Sequence, residues 1–302
     1  MRGSTRAEAE RVTTETHMGE VILLTGADGY VGSRLVRPLA ARGRVVGVSR
    51  RATTSAVRTC DLVDPAAVAL LARDVTPTVI VHAAGTKDIR TCEQHPPIGF
   101  DANVRTTMNL LDAFPGVPFL YLSTDYVFAG DRGRYSEDDA VGPRTAYGHT
   151  KVCAEQVGML RAPEEFCAVR ASALYDTDAT FLRFLRDTLS DGQCVECFED
   201  AYYSPTYLSD FASALERLIA APSRPGVLHV AGPRVSRYAF ACAYAEAFGH
   251  ALRQVVPTRL GPGALPLFPD LSLETSRARV DIGFRATSPE EALDALADRR
   301  LA

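Results

Sequence analysis

A short apolar run, Val21–Leu24, is followed at once by TGADGYVGSRLVRPLAARG, and no other stretch constrains the fold as tightly. A strand, a glycine turn and a helix in succession form the context in which such glycines carry meaning. Gly26, Gly29 and Gly32 permit a tight turn, close approach of a pyrophosphate, and close packing of helix on strand. The helix behind them offers an anion unpaired N–H groups and a partial positive charge. Asp28, Tyr30 and Val31 belong to the same loop and count with it as cofactor-binding. The spacing is G-x-x-G-x-x-G rather than G-x-G-x-x-G.

Further strands follow at regular intervals. Val45–Val48 ends in Ser49, Arg50 and Arg51. A carboxylate at that place suits the 2′-hydroxyl of NAD, whereas arginines suit a 2′-phosphate, so NADPH is the expected coenzyme and NADH the alternative. The plainer reading of the pair is two solvated arginines at a strand end. A short third strand precedes Asp61 and Leu62, placed to flank an adenine. Asp64-Pro65 reads as an N-cap with proline in the first turn. Val79–Val81 is a fourth strand, and the small residues Ala83, Ala84 and Gly85 after it let the backbone approach a cofactor, with Lys87 beside them. His82 reads better as a satisfied core histidine than as a catalyst. Asn103 lies in a helical segment running to Leu111. Phe119–Leu122 and Phe166–Arg170 are strands five and six. Strands alternating with helices indicate an α/β chain, a Rossmann-like, doubly wound parallel sheet.

The stretch from Phe119 to Lys151 holds the chemistry. FLYLSTDYVFAG is a buried strand feeding a polar loop, with Thr124 at the strand end. In TAYGHTK, Tyr147 and Lys151 are one helical turn apart, so a phenol and an ammonium share a face. A tyrosine normally ionises near pH ~10, and a neighbouring cation is expected to lower that value. The chain has 33 lysines plus arginines but places lysine only at positions 87 and 151. An amine kept in so arginine-rich a chain favours a function over a solvated surface charge, because lysine is compact and its pKa moves readily on burial.

After Arg170 the pattern changes. Phe181–Leu189, Phe211–Ala220 and Tyr238–Phe248 read as helices, Val227–Val230 as a strand returning to the main sheet, and AYYSPTYLSD as turn-rich. LGPGALPLFPD is irregular. Ser288-Pro289-Glu290-Glu291 opens a final helix with a capping box. The division is a disordered leader at 1–19, a dinucleotide-binding domain at 20–170, and a smaller substrate-binding region at 171–302 whose segment 206–231 returns to the core. Arg183, Arg186, Arg234, Arg237, Arg253 and Arg259, with Tyr202, Tyr203 and Tyr207, supply forks for a diphosphate and faces for a base. Most of these arginines are expected in solvent and one or two at the phosphates.

Composition narrows the class. A net charge of −4 with no basic block gives no footprint for nucleic acid. No apolar run approaches the roughly 20 residues of a membrane span. Seven cysteines without an export signal suggest reduced thiols and a cytoplasmic protein. Cys194 and Cys197 form a C-x-x-C, but no second pair completes a zinc site, so no metal is expected.

TGADGYVG at 25–32, HAAG at 82–85, STDYVF at 123–128 and YGHTK at 147–151 together resemble the extended short-chain dehydrogenase/reductases. With STDYVFAG and the later SPTYLSDFA at 204–212, the chain is most similar to dTDP-4-dehydrorhamnose reductases and related nucleotide-sugar 4-ketoreductases. The resemblance runs from about residue 20 to the end and weakens after 232. It implies Thr124, Tyr147 and Lys151 as the catalytic triad, Gly26, Gly29 and Gly32 at the pyrophosphate, and Lys87 near the cofactor ribose or phosphates. The implied reaction is NADPH-dependent reduction of the 4-keto group of a nucleotide-diphosphate 4-keto-6-deoxysugar, with dTDP the favoured carrier. A homodimer is compatible with the resemblance. KDIRTCEQHP at 87–96 reads more like nucleotide-sugar epimerases, so a 4-epimerase with retained NAD is one alternative. A non-catalytic NADP-binding regulatory subunit is the other. Related dehydratases carry Asp-Glu after the triad threonine, and here Asp125 is followed by Tyr126, which argues against dehydration.

Overall fold

Parallel pairing follows from apolar runs that are covered on both faces. In the computed structural model, which describes residues 19–221, 226–261 and 267–301, seven strands form one parallel sheet. These are β1 (Glu20–Thr25), β2 (Gly43–Ser49), β3 (Val57–Thr59), β4 (Val79–His82), β5 (Phe119–Thr124), β6 (Phe166–Ala171) and β7 (Val227–His229). Their spatial order is β7-β6-β5-β4-β1-β2-β3. Every residue of β4 and β6 is buried.

Side-chain alternation along each strand divides the core into two layers. Ile22, Leu24, Val81, Leu120 and Val169 face one side, against Leu35, Phe211, Leu215 and Leu218. Leu23, Val48, Ile80, Phe119, Tyr121 and Phe166 face the other, against Val68, Leu71 and Leu110. Each such side chain contributes about 1.5–3 kcal/mol relative to its exposed state. The sheet is therefore doubly wound, as its pattern predicts. The chain moves outward from β1 to β3 on one side and from β4 to β6 on the other. The carboxyl ends of β1, β4 and β5 meet at that reversal, where open α/β sheets place their ligands.

β7 does return to the main sheet, pairing in register with β6 through Leu228 and Val169. The Leu208–Ala220 helix leads into it and packs against the Tyr30–Leu39 helix. The remaining C-terminal segments form a separate cluster around Leu185, Tyr203, Phe240, Tyr244 and Leu293. AYYSPTYLSD is more ordered than its turn residues suggest. Tyr202–Tyr203 pairs with Val235–Ser236, and Thr206–Tyr207 with Leu174–Tyr175. The predicted caps form: Asp64 accepts from the Ala66 N–H, and Ser288 and Glu291 exchange bonds at the last helix.

The expected leader at 1–19 falls, except for Gly19, outside the described residues, as do 262–266 of the irregular segment. Val195–Phe198 alternates, with Cys197 inward and Glu196 outward, while Cys194 just before it is exposed. Among the described residues no group of three or more His, Cys, Asp or Glu gathers as a metal site, and no helix is long and apolar enough to cross a membrane.

Candidate active site

Backbone pressed on backbone builds the first wall of the site. Gly26 adopts a φ of +68°, and a Cβ there would lie 2.8 Å from the Ala84 backbone. A Cβ on Gly32 would overlap the Gly26 carbonyl oxygen. The loop can therefore sit this tightly across the ends of β1 and β4 only with glycine at both places. The Tyr30–Leu39 helix starts behind Gly29 with no side-chain cap, so its first N–H groups are left for a ligand. Gly29, Tyr30, Val31 and Gly32 border a cavity of about 520 Å³. Uncapped N–H groups over a glycine cradle fit a dinucleotide pyrophosphate.

Ala83, Ala84, Gly85, Lys87 and Asn103 border the same cavity. Asn103 lies in a π-helical turn, Asp101–Arg105, ahead of the Thr106–Ala113 helix. Such turns break the regular ladder and re-aim a side chain. Here the Asn103 amide donates to the Thr86 carbonyl (3.1 Å) and the Thr150 hydroxyl (2.8 Å), and its oxygen accepts from the Thr86 N–H (2.8 Å). The segment 85–87 is thus fastened to the Ala146–Arg161 helix. His82 lies beneath, bonded to Thr25 (2.6 Å) and Thr106 (3.3 Å), and burial holds its pKa near 3. It is a neutral core histidine.

Thr145 caps the Ala146–Arg161 helix by accepting from the Gly148 N–H at 3.0 Å. That helix carries Tyr147 and Lys151 to the cavity wall opposite the end of β5, where Thr124 stands. The Tyr147 side chain and Thr124 border the same cavity. Lys151 is buried, donates to the Leu122 carbonyl at 2.6 Å, and has its ammonium 4.0 Å from the centre of the Tyr121 ring.

The electrostatics depart from the sequence expectation at one point. Tyr147 is not lowered by Lys151. Burial raises it above its ordinary value, the nearby Thr124 hydroxyl opposes this, and Asp125 adds to the rise. The ammonium is spent on Leu122 and Tyr121, and burial drives its own pKa down to about 7 against the pull of Glu155. Asp125, also buried, is pushed up to about 6 by desolvation.

Seven of the expected cofactor residues do not border this cavity. Gly26 and Asp28 belong to the glycine loop, Ser49 ends β2, and Arg50, Arg51, Asp61 and Leu62 follow β2 and β3. Ser49 accepts from the Asp28 N–H, and Asp28 in turn accepts from the Thr53 N–H at 2.7 Å, so Asp28 fixes the loop that carries the two exposed arginines. Asp61 closes a turn onto the Val63 N–H. Leu62 is buried in the core with Leu23 and Val48, so its side chain is not available to an adenine.

The far wall comes from segments whose spacing carried little signal. Asp125, Tyr126, Ala173, Leu174, Phe268 and Leu271 all border the cavity. Of the six arginines singled out, Arg237 does so, together with Tyr202 and Tyr203. Arg234 stacks on Tyr202 at 3.5 Å and pairs with Asp270. Arg186 and Arg259 pair with Asp187 and Glu199, and Arg183 and Arg253 are exposed. Tyr207 is buried in the C-terminal core. Among the described residues no carboxylate forms an ion pair with Arg237.

The family described as RmlD substrate binding domain matches residues 20–300. A dTDP-4-dehydrorhamnose reductase of Mycolicibacterium smegmatis is 32% identical over 247 residues, covering 80% of this chain and 73% of that protein. Methionine adenosyltransferase 2 subunit beta of Xenopus tropicalis is 28% identical over 310 residues, covering 93% and 90%. Among solved structures, MoeE5 in complex with UDP-glucuronic acid and NAD superposes with a TM-score of 0.78 at 26% identity, covering 93% of this chain and 99% of that one.

Proposed function

Because the chain belongs to the RmlD substrate binding domain family, we propose that it is an NADPH-dependent reductase of a nucleotide-diphosphate 4-keto-6-deoxysugar, with thymidine diphosphate the favoured carrier. The observation that carries this reading is the meeting of Thr124, Tyr147 and Lys151 with an uncapped glycine-loop helix on one cavity. The glycine loop, Gly85, Lys87 and Lys151 would hold the coenzyme, with Arg50 and Arg51 at its 2′-phosphate. When bound, the nicotinamide supplies a hydride to the carbonyl carbon.

The chain supplies the proton. A raised pKa keeps Tyr147 in its acid form at neutral pH, the state a proton donor requires. Thr124 bonds the same carbonyl oxygen, and the positive charge of Lys151 beside it favours the alkoxide that develops there. Arg237, with Tyr202 and Tyr203, faces the cavity from the C-terminal region and suits an anionic diphosphate. The relationship to a methionine adenosyltransferase subunit supports a second reading, a coenzyme-binding regulatory subunit without turnover.

A panel of nucleotide-linked 4-keto sugars, with simple ketones as controls, separates these readings by loss of reduced-nicotinamide absorbance. The expected result is turnover on a nucleotide-linked sugar with NADPH. Turnover on free ketones alone would overturn the nucleotide-sugar assignment. Stereochemical exchange without coenzyme loss identifies an epimerase, and coenzyme binding without any turnover identifies the subunit.

A further inference from the structure

Asp125 borders the cavity, is 4% exposed, and has no part in the reaction as derived above. We infer that Asp125 is a positioning residue: its protonation state sets whether the Thr124 hydroxyl points to Asp125 or to the cavity. This rests on the reductase reading and goes beyond it.

The argument is one of counting protons. The Thr124 hydroxyl donates to Asp125 Oδ1 at 2.9 Å and accepts from the Tyr126 N–H at 3.3 Å. Ser172 donates to the other oxygen, Asp125 Oδ2, at 2.5 Å. A hydroxyl has one proton to give. While that proton goes to a carboxylate, Thr124 has none to offer a substrate. The Thr124 O–H then points to Asp125, away from any substrate. Reduction of a carbonyl needs both hydroxyls to donate to the developing alkoxide. A neutral Asp125 carboxyl brings its own O–H, donates to Thr124, and releases the Thr124 proton toward the cavity. Ser172 keeps its acceptor in either state.

The surroundings favour the neutral form. Desolvation raises Asp125 to about 6, and the hydrogen bonds from Ser172 and Thr124, with the charge of Arg237, oppose it. Arg237 comes from the Arg237–Ala247 helix; Tyr126 on its own turn and Tyr147 on the facing helix are the other titratable groups against it. Lys151 stands across the same cavity. An anionic group of the substrate at Arg237 would offset the Arg237 charge that favours the carboxylate, so loading the site would itself turn the Thr124 proton toward the cavity.

The test is Asp125→Asn, whose amide donates to Thr124 and accepts from Ser172 at every pH. With a 4-keto nucleotide sugar and saturating NADPH, the ratio of variant to parent kcat should rise about tenfold or more from about pH 5 to about pH 8, as the parent loses a donor to the alkoxide. A constant ratio means a merely structural role, and a falling one means the carboxylate is the working form; either overturns the inference. A second measurement needs no substrate. An aspartate whose folded pKa is raised contributes stability that is full below its unfolded value of about 3.9 and is lost as pH rises through the folded value. The Tm of the variant minus that of the parent should therefore climb between about pH 4 and about pH 7. A flat difference in an active parent overturns the positioning role alone. A parent that reduces no such sugar overturns the reductase reading and this role with it.

Discussion

At the scale of single residues, the site works by burying groups that would rather be in water. Burial raises Tyr147 and brings Lys151 down to about 7, and in the proposed reaction the first is the acid and the second the cation. Tyr147→Phe removes the only proton donor assigned to the carbonyl oxygen while keeping the ring that packs edge-on to Tyr126. Turnover should fall by about 10²-fold or more, with coenzyme binding nearly unchanged. A variant as fast as the parent would show that another group is the acid. Lys151 has a signature of its own in stability. A lysine whose folded pKa lies below its unfolded value binds fewer protons when folded, so between about pH 7 and about pH 10 stability rises with pH. Lys151→Met removes that slope, and the Tm of the parent minus that of the variant should increase across this window. A decrease would mean that the folded protein holds the lysine proton more tightly than the unfolded chain does.

Elements carry the second scale, and here the proposed choice of NADPH rests on the loop after β2. Asp28 and Ser49 tie that loop to the glycine turn, which sets Arg50 and Arg51 past the strand end with both side chains exposed. Replacing both with alanine should weaken NADPH binding and leave NADH binding nearly unaltered in calorimetric titration, since only NADPH carries the 2′-phosphate. Equal losses would remove them from the coenzyme site. Periodicity made most elements legible. Strands β4, β5 and β6 extend the predicted runs by one or two residues at an end and β1 by one at each end, and Tyr147 and Lys151 fall on one face because a helical turn puts them there. What stayed hidden is what periodicity does not encode. Asp125 meets Ser172 across 47 residues and Tyr30 meets Asp176 across 146, and no spacing rule predicts such contacts. Leu62 follows Asp61 directly, yet one faces solvent and the other the core, so a motif read as a pair splits in space. The π-turn that aims Asn103 had no mark in the sequence, which reads there as ordinary helix.

For the molecule as a whole, the question is whether the division at residue 170 is a boundary in folding as well as in use. The sheet argues that it is not. β7 completes the edge beside β6, and its Leu228 enters the same core layer as Ile22 and Leu120. Phe211, Leu215 and Leu218 on the preceding helix cover that layer and are wholly buried, so a chain ending at Ala171 would expose the apolar face they shield. Each lost contact of this kind costs about 1.5–3 kcal/mol, and a domain is stable by only about 5–15 kcal/mol in total. The coenzyme loop is also tied across the division: the Tyr30 phenol donates to Asp176, and Arg34 pairs with both Asp176 and Asp178. A chain truncated after Ala171 should therefore keep far-ultraviolet helical signal but lack near-ultraviolet tertiary signal and a cooperative thermal transition. Supplying residues 172–302 as a separate chain should restore both. A truncated chain that melts cooperatively and binds coenzyme by itself would make 20–170 an independent domain. In that event the returning segment 206–231 would be an addition to a finished core. The buried positions of Phe211, Leu215, Leu218 and Leu228 place it instead inside the core, and the expectation is that residues 172–302 and the parallel sheet fold as one unit.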